Sequence, residues 1–149
     1  MGQKRTTSTL PILLGNYETK GTLIEMDNDF NQVLAAIETI RIQPASDEFY
    51  IHSAIKEALI KYGIGFEHEY KLAPRNRIDF LTHSGVGIEV KKGKPNEAQV
   101  YSQLERYAQF EEVKAIILVI ERYQDVPEEM NGKPCRSIGL RRLWGIASR

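Results

Sequence analysis

A run of six apolar residues limits most strongly which folds this chain can adopt. Residues 115–120 read Ala-Ile-Ile-Leu-Val-Ile, without one polar side chain. Because the side chains of a strand point alternately to its two faces, both faces of this segment have to be covered by protein. The run therefore predicts a buried central strand within a sheet that is flanked by helices, which is an α/β fold.

Apolar residues at helical spacing predict two helices with three strands between them. The first helix starts at Asp47, with Ser46 or Asp47 as its N-cap, and it stops at Gly63. The second helix has Pro95 in its first turn. Its predicted apolar face consists of Val100, Leu104, Tyr107 and Ala108. Strands are expected at residues 64–72, 77–81 and 86–91, so the predicted order over 47–120 is helix, three strands, helix, strand.

The two ends of the chain are expected to add to this core. Residues 127–134 are expected to form a loop, and residues 137–147 a last strand or two with Trp144 packing on the core. We expect residues 46–149 to form the main domain and residues 1–45 an N-terminal extension. Apolar spacing in the extension predicts strands near 10–14 and 22–26 and a helix over 30–42. Such a segment can cover a sheet edge, extend the domain or make a dimer contact.

Composition narrows the classes of protein to consider. With 149 residues, of which 42% are hydrophobic, the chain can bury one core of ordinary size. No stretch reaches the roughly 18 apolar residues of a membrane span and the start lacks the apolar part of a signal peptide, so we expect no membrane partner and a cytoplasmic location. The single cysteine, Cys135, has no partner for a disulfide or a thiolate metal site and is expected to be a spectator. The 20 basic and 20 acidic residues cancel, so any nucleic-acid surface has to be local.

Charged residues interrupt two otherwise apolar strands that form a predicted hairpin. On the first strand, Ile78 and Phe80 are expected to share the apolar face that lies opposite Asp79. On the second strand, Glu89 and Lys91 are expected to share a charged face. Because charged side chains are rarely placed on core strands without a reason, this hairpin is the first candidate for a functional site. The alternative is a surface hairpin whose charges are solvated.

The expected pairing of this hairpin brings two carboxylates together. If the strands pair symmetrically about Ser84, Asp79 lies directly across from Glu89. Carboxylates about 5 Å apart repel one another unless a cation lies between them. Oxygen ligands without His or Cys favour a hard ion such as Mg²⁺ or Mn²⁺. Lys91 is then placed to hold a phosphate or to position an attacking water.

Residues on the two helices extend this candidate site. Glu48 falls on the inward arc of the first helix and can complete the metal site, although an acid in a first turn equally suits the helix dipole. Gln103 and Tyr107 stand one turn apart on the inward arc of the second helix and can reach a phosphate or Lys91, the alternative being a buried Gln and a packing Tyr. The three histidines of the chain lack the spacing of a zinc site. His52 is expected to be a satisfied core histidine, the alternative being that it faces the cleft one turn after Glu48.

Together these residues resemble the signature of the PD-(D/E)XK nuclease superfamily, which is an Asp, a variable gap and Glu-x-Lys on adjacent strands. Here the pattern is Asp79, nine further residues and Glu89-Val90-Lys91. Glu48 is similar to the acid on the family's preceding helix, and residues 103–107, Gln-Leu-Glu-Arg-Tyr, resemble the glutamine and tyrosine motif of RecB-like members. The acid spacing is also similar to that of phage junction-resolving endonucleases and archaeal Holliday-junction resolvases. The proline that often precedes the first Asp is Ile78 here.

The resemblance implies a restriction-endonuclease-like αβββαβ core with a central mixed sheet, and a metal-dependent endonuclease that hydrolyses DNA phosphodiester bonds. In such a site Asp79, Glu89 and the main-chain carbonyl of Val90 would bind Mg²⁺, with Mn²⁺ able to substitute, and Glu48 would help directly or through water. Lys91 would orient or deprotonate the water for in-line attack on phosphorus. The alternative is a catalytically silent DNA-binding or assembly subunit with the same fold. A homodimer is compatible with cleavage of both strands of a duplex, which takes two active sites.

Basic residues concentrate around the candidate site although the whole chain is neutral. Between Lys71 and Lys94 there are six basic residues and two acids, a local net charge of +4. Phosphate groups are expected on this side of the molecule. Arg141 and Arg142 can extend the basic surface, although one of them points away if they lie on a strand. The residues expected to contact nucleic acid are Arg77, Lys92, Lys94, Gln103 and Tyr107.

Overall fold

The computed structural model describes residues 28–43 and 46–140 of the chain. A helix through residues 28–38 (α1) comes first. It is followed by α2 (Glu48–Lys61), β1 (Phe66–Ala73), β2 (Asn76–Thr82), β3 (Val86–Lys91), α3 (Glu97–Tyr107), β4 (Ala115–Ile120), β5 (Glu129–Met130) and β6 (Lys133–Gly139). The described chain is therefore mixed α/β, and the predicted order of helix, three strands, helix and strand is present from α2 to β4.

The six strands form one mixed sheet in the order β1-β2-β3-β4-β6-β5. The first three strands are antiparallel to one another, whereas β4 runs parallel to both β3 and β6. Parallel neighbours need a crossover, and α3 provides the one between β3 and β4. All six residues of β4 are buried, as the apolar run predicted.

Both interior helices begin at a side-chain cap. The Asp47 carboxylate accepts the backbone N–H of Tyr50 at 2.8 Å and caps α2, as expected. At the start of α3, the Asn96 side chain accepts the N–H of Gln99 at 3.0 Å. The prediction that Pro95 lies within the first turn is therefore wrong, because the cap at Asn96 places it just before the helix.

Helices cover both faces of the sheet. One core cluster joins α1 and α2 to residues of β2, β3, β4 and β6, and it includes Ile37, Ile55 and Phe80, each fully buried. The second cluster joins α3 to the opposite face. Buried residues from 30 to 42 belong to the first cluster, so the described part of the N-terminal segment extends the domain and covers the sheet. The strands expected at 10–14 and 22–26, and also Trp144, Arg141 and Arg142, lie outside the described residues.

The region expected to be a loop at 127–134 contains a hairpin instead. Strands β5 and β6 are antiparallel, with Met130 paired to Lys133. Asn131 and Gly132 between them have φ angles of +53° and +77°. Asn-Gly is the pair that two-residue turns with two positive φ angles prefer, so the turn forms here and β6 begins four residues earlier than expected.

Strand β2 changes its side-chain arrangement at Asp79. Ile78 belongs to the core cluster on the α3 face, whereas Phe80 belongs to the cluster on the α1 and α2 face. The prediction that these two residues share one face is therefore wrong, since regular alternation does not hold across Asp79. In the ladder between β2 and β3, Phe80 pairs with Ile88 and Leu81 pairs with Gly87. The regular ladder therefore does not include Asp79, the residue before Phe80. This interruption opens a gap in the sheet that side chains can enter.

The described residues contain no helix that is both long and apolar enough to cross a membrane. Cys135 is buried in the α3-side core as a free thiol, and burial raises its pKa to about 11. A thiol with so high a pKa is a weak nucleophile, which agrees with the expected spectator role.

Candidate active site

Two carboxylates fill the gap between β2 and β3. Continuing the register of Phe80 with Ile88 by one position places Asp79 across from Glu89, so the predicted symmetry about Ser84 is confirmed. The Asp79 backbone N–H donates to Oε1 of Glu89 at 3.3 Å, and the Val90 N–H donates to Oδ2 of Asp79 at 2.8 Å. Each carboxylate thus takes a backbone hydrogen bond that a ladder carbonyl would otherwise accept.

Burial disfavours the charged form of both acids. Glu89 is 4% exposed, and burial together with repulsion from Asp79 raises its pKa to about 7. Burial also raises the pKa of Asp79, against the hydrogen bond from Val90 and the attraction of His52. The positive charge of Lys91 partly offsets the rise in the Glu89 pKa, because Nζ of Lys91 lies 3.3 Å from Oε2 of Glu89. The structure therefore brings together Asp79, Glu89 and Lys91, the three residues at the centre of the sequence prediction.

The two carboxylates fit a hard divalent cation. They are oxygen donors on facing strands, they repel one another, and the Val90 main chain that contacts Asp79 also carries a carbonyl oxygen. A cation held there would add to the attraction by which Lys91 and His52 partly offset this repulsion. Mg²⁺ and Mn²⁺ are the ions that oxygen-only ligands favour.

Glu48 reaches the same region from the first residue of α2. Its side chain is exposed, lines a cleft together with Asp79, and acts on Asp79 by repulsion, which raises the Asp79 pKa. The Glu48 carboxylate does not lie close enough to those of Asp79 and Glu89 for the three to form one compact ligand group. Glu48 is therefore near the site, as predicted, but at its exposed rim.

His52 behaves differently from the satisfied core histidine that the sequence predicted. It is 9% exposed, and its Nδ1 lies 2.9 Å from Nε2 of His68 on β1. Its Nε2 lies 3.8 Å from Oδ2 of Asp79 and has no hydrogen-bond partner among the described residues. Burial, followed by the nearby positive charge of Lys56 and by His52, lowers the pKa of His68.

The position of His68 near Asp79 could have been predicted by pairing the expected strands β1 and β2. His68 pairs with Phe80, the neighbour of Asp79, so a β1–β2 register would have placed it beside the acids. Within residues 28–43 and 46–140, one group of three His, Cys, Asp or Glu side chains has its ligand atoms within 4.8 Å of one another. That group is His52, His68 and Glu69.

Two clefts flank the central acids. The first, here called the histidine cleft, has a volume of about 350 Å³. It is lined by Glu48, Phe49, His52, Ser53, Lys56, His68, Glu69, Arg77 and Asp79. The second, here called the lysine cleft, has a volume of about 490 Å³. It is lined by Lys91, Pro95, Asn96, Ala98, Gln99, Val100, Ser102, Gln103 and Arg106.

Tyr107 and Gln103 form a chain of hydrogen bonds from α3 to β2. The Gln103 side chain donates to the Tyr107 hydroxyl at 3.0 Å, and that hydroxyl donates to the backbone carbonyl of Arg77 at 2.9 Å. Tyr107 is 1% exposed, and burial next to Glu89 and Asp79 raises its pKa. We therefore reassign Tyr107 from nucleic-acid contact to positioning of β2, whereas Gln103 also lines the lysine cleft.

The basic residues expected to contact nucleic acid are distributed over different surfaces. Arg77 lines the histidine cleft. Lys92 donates to the backbone carbonyl of Ser46 at 2.7 Å, just before α2, so its ammonium group is already engaged. Lys94 lines a separate depression beside Arg122. The helices add two basic side chains that the sequence window missed, Lys56 in the histidine cleft and Arg106 in the lysine cleft.

Comparison of the chain with protein-family models, with curated proteins and with solved structures finds no match.

Proposed function

We propose that this chain is a metal-dependent nuclease that hydrolyses DNA phosphodiester bonds at Asp79, Glu89 and Lys91. The observation that carries the proposal is the interrupted ladder between β2 and β3, where the buried Glu89, the partly buried Asp79 and Lys91 meet. Buried like charges are unfavourable without a compensating ligand, so their presence there favours a functional reason. The order α2-β1-β2-β3-α3-β4 supports a restriction-endonuclease-like core as part of the same proposal.

Each residue of the site has a role in the proposed reaction. Asp79, Glu89 and the main-chain carbonyl of Val90 would hold Mg²⁺ or Mn²⁺, with Glu48 assisting through water from the rim. Such an ion, when bound, lowers the pKa of its water and neutralises charge that develops on the phosphate. Lys91, whose Nζ lies 3.3 Å from Glu89, would orient the attacking water and hold a phosphate oxygen.

The two clefts place basic side chains on either side of the acids. Arg77 and Lys56 lie on one side of them and Arg106 and Gln103 on the other. Basic side chains on both sides of the reacting centre suit a phosphate backbone that crosses β2 and β3. We propose DNA as the substrate because of the family resemblance, and binding of two copies of the chain to one duplex would follow if both strands are cut.

The test is cleavage of supercoiled, linear, branched and single-stranded DNA, and of RNA, in Mg²⁺, Mn²⁺ or EDTA. The isosteric variants Asp79→Asn and Glu89→Gln keep a side-chain acceptor for the backbone, and Lys91→Met keeps the length of the lysine. Each is expected to lower the cleavage rate at least about 100-fold.

Lys61→Met, an exposed lysine at the end of α2, is the matched control and is expected to leave the rate unchanged. Absence of cleavage with either metal, or full activity of Asp79→Asn or Lys91→Met, would refute the proposal. DNA binding without cleavage by the wild-type chain would instead favour the silent DNA-binding subunit.

A further inference from the structure

The histidine cleft holds a second group of potential ligands beside the carboxylates of the proposed active site. His52 comes from α2, and His68 and Glu69 come from β1. One ligand atom of each lies within 4.8 Å of the other two. We infer that His52, His68 and Glu69 form a binding site for a divalent transition-metal ion such as Zn²⁺, separate from the site of Asp79 and Glu89.

The spacing of the two imidazole rings suits a shared cation. Nδ1 of His52 and Nε2 of His68 share a hydrogen bond of 2.9 Å, which a bound cation would replace. Nitrogens bound to tetrahedral Zn²⁺ at 2.0–2.1 Å lie about 3.3 Å apart, so the rings need to separate by about 0.4 Å. One of them, His68, is not fully buried, which leaves room for that movement.

The surroundings of His52 suit the tautomer that a cation would require. Metal binding through Nδ1 leaves the proton on Nε2, the buried nitrogen that has no hydrogen-bond partner in the described chain. That nitrogen lies 3.8 Å from the Asp79 carboxylate, which attracts an N–H and repels a bare lone pair. Histidine ligands in metal sites commonly point their second nitrogen at a carboxylate in this way. His52 would therefore connect the two sites.

An irregular backbone brings Glu69 to the same point as His68. Neighbouring residues of a regular strand point to opposite faces, so two consecutive residues do not normally share a ligand site. Glu69 has φ +56°, a left-handed conformation that is rare for a non-glycine residue in a strand. Strain of this kind persists where the surrounding structure or a ligand requires it. Two imidazoles and one carboxylate bind Zn²⁺, Co²⁺ or Ni²⁺ in preference to Mg²⁺.

The experiment is a Co²⁺ titration of the full chain without nucleic acid, followed by the visible absorption of the bound ion. We expect saturable binding, unchanged by excess Mg²⁺. His68→Ala and Glu69→Gln are expected to weaken Co²⁺ binding at least about tenfold. Lys56→Met removes a positive charge from the cleft and is expected to tighten binding severalfold, an effect that a misfolded variant does not produce.

Two control variants distinguish this site from non-specific binding and from the carboxylate site. His83 and Glu67 form an exposed pair with 3.4 Å between Nε2 and Oε2, so His83→Ala reports non-specific binding by a surface histidine. Glu89→Gln alters the carboxylate site and leaves the three proposed ligands intact. Both variants are expected to bind Co²⁺ at His52, His68 and Glu69 as the wild type does. The inference is overturned if binding does not saturate, if His68→Ala binds normally, or if either control loses as much affinity as His68→Ala. Because the readout is cation binding, its outcome is independent of whether the chain cuts DNA.

Discussion

At the scale of single residues, Glu89 is the one acid of the described chain that is fully buried. Its pKa is raised to about 7. The main cause is burial, and the second is repulsion from Asp79. A group placed in this way links the folding of the protein to pH and to cations.

The pH dependence of stability follows from the sign of that shift. Because the folded-state pKa lies above the ordinary glutamate value of 4.5, protonated Glu89 stabilises the fold at low pH, and this contribution is lost as pH rises through about 7. In EDTA, we expect the free energy of unfolding to fall by on the order of 2 kcal/mol between pH 5 and pH 8 relative to Glu89→Gln. Thermal or urea denaturation of both proteins measures the difference. Parallel pH profiles for the two proteins would contradict the burial of an ionisable Glu89.

At the scale of secondary-structure elements, α3 is fixed to β2 through the Tyr107 hydroxyl. Tyr107→Phe removes that hydroxyl and leaves the Arg77 carbonyl and the Gln103 amide without their partners. We expect a loss of about 1–3 kcal/mol in the free energy of unfolding, since buried groups without partners are unfavourable. Tyr101→Phe, on the exposed side of the same helix, is the matched control and should change stability by less than about 0.5 kcal/mol. Equal effects of the two substitutions would count against the positioning role.

Two glycines with positive φ allow the cost of backbone strain to be compared with the cost of side-chain crowding. Gly63 follows α2 with φ +71° and open space around its missing side chain. Gly85 precedes β3 with φ +101°, and a Cβ there would lie 2.4 Å from Cγ of Lys114 and 3.0 Å from the Glu112 carbonyl oxygen. We expect Gly63→Ala to destabilise by about 1 kcal/mol through φ alone, and Gly85→Ala by at least about 2 kcal/mol. Chemical denaturation of both variants gives the comparison, and a smaller effect at Gly85 would contradict the packing of Glu112 and Lys114 against this turn.

Local patterns were sufficient to predict most elements of the fold. The apolar run of β4, the Asp47 cap and the symmetry about Ser84 each depend on neighbouring residues, and the structure confirms all three. The β5–β6 hairpin also had a local signal, the Asn131-Gly132 pair, although a loop was expected there.

Other features depend on contacts that one segment does not contain. Regular alternation predicted Ile78 and Phe80 on one face, but Asp79 turns its carboxylate to the Val90 N–H and the strand changes face around it. Asp79, Glu89 and Lys91 share one hairpin, so the sequence could place them together, as the structure does. The site prediction missed the contact between His52 and His68 because that contact joins a helix to a strand.

At the scale of the whole molecule, α1 is part of the main core and not an accessory to it. Ile37 is fully buried within the cluster that α1 and α2 form on the sheet, whereas its neighbour Glu38 is exposed. Ile37→Ala is expected to reduce the free energy of unfolding by about 2–5 kcal/mol through lost burial and a cavity. Glu38→Ala, on the opposite side of α1, should stay within about 0.5 kcal/mol of the wild type. Urea denaturation measures both, and a tolerated Ile37→Ala would mean that α1 only lies over a core already complete without it.

The interrupted ladder between β2 and β3 has a consequence for how the site opens to solvent. The amide protons of Asp79 and Val90 are held by carboxylate oxygens between β2 and β3, and Val90 itself is 1% exposed. Such amides exchange with deuterium mainly when the whole domain unfolds, in contrast to active sites carried on loops. Hydrogen exchange should therefore find the Val90 amide among the slowest in the protein, and Asp79→Ala should expose that single proton without loosening β4. The centre of this site would then be among the last parts of the molecule to lose its structure.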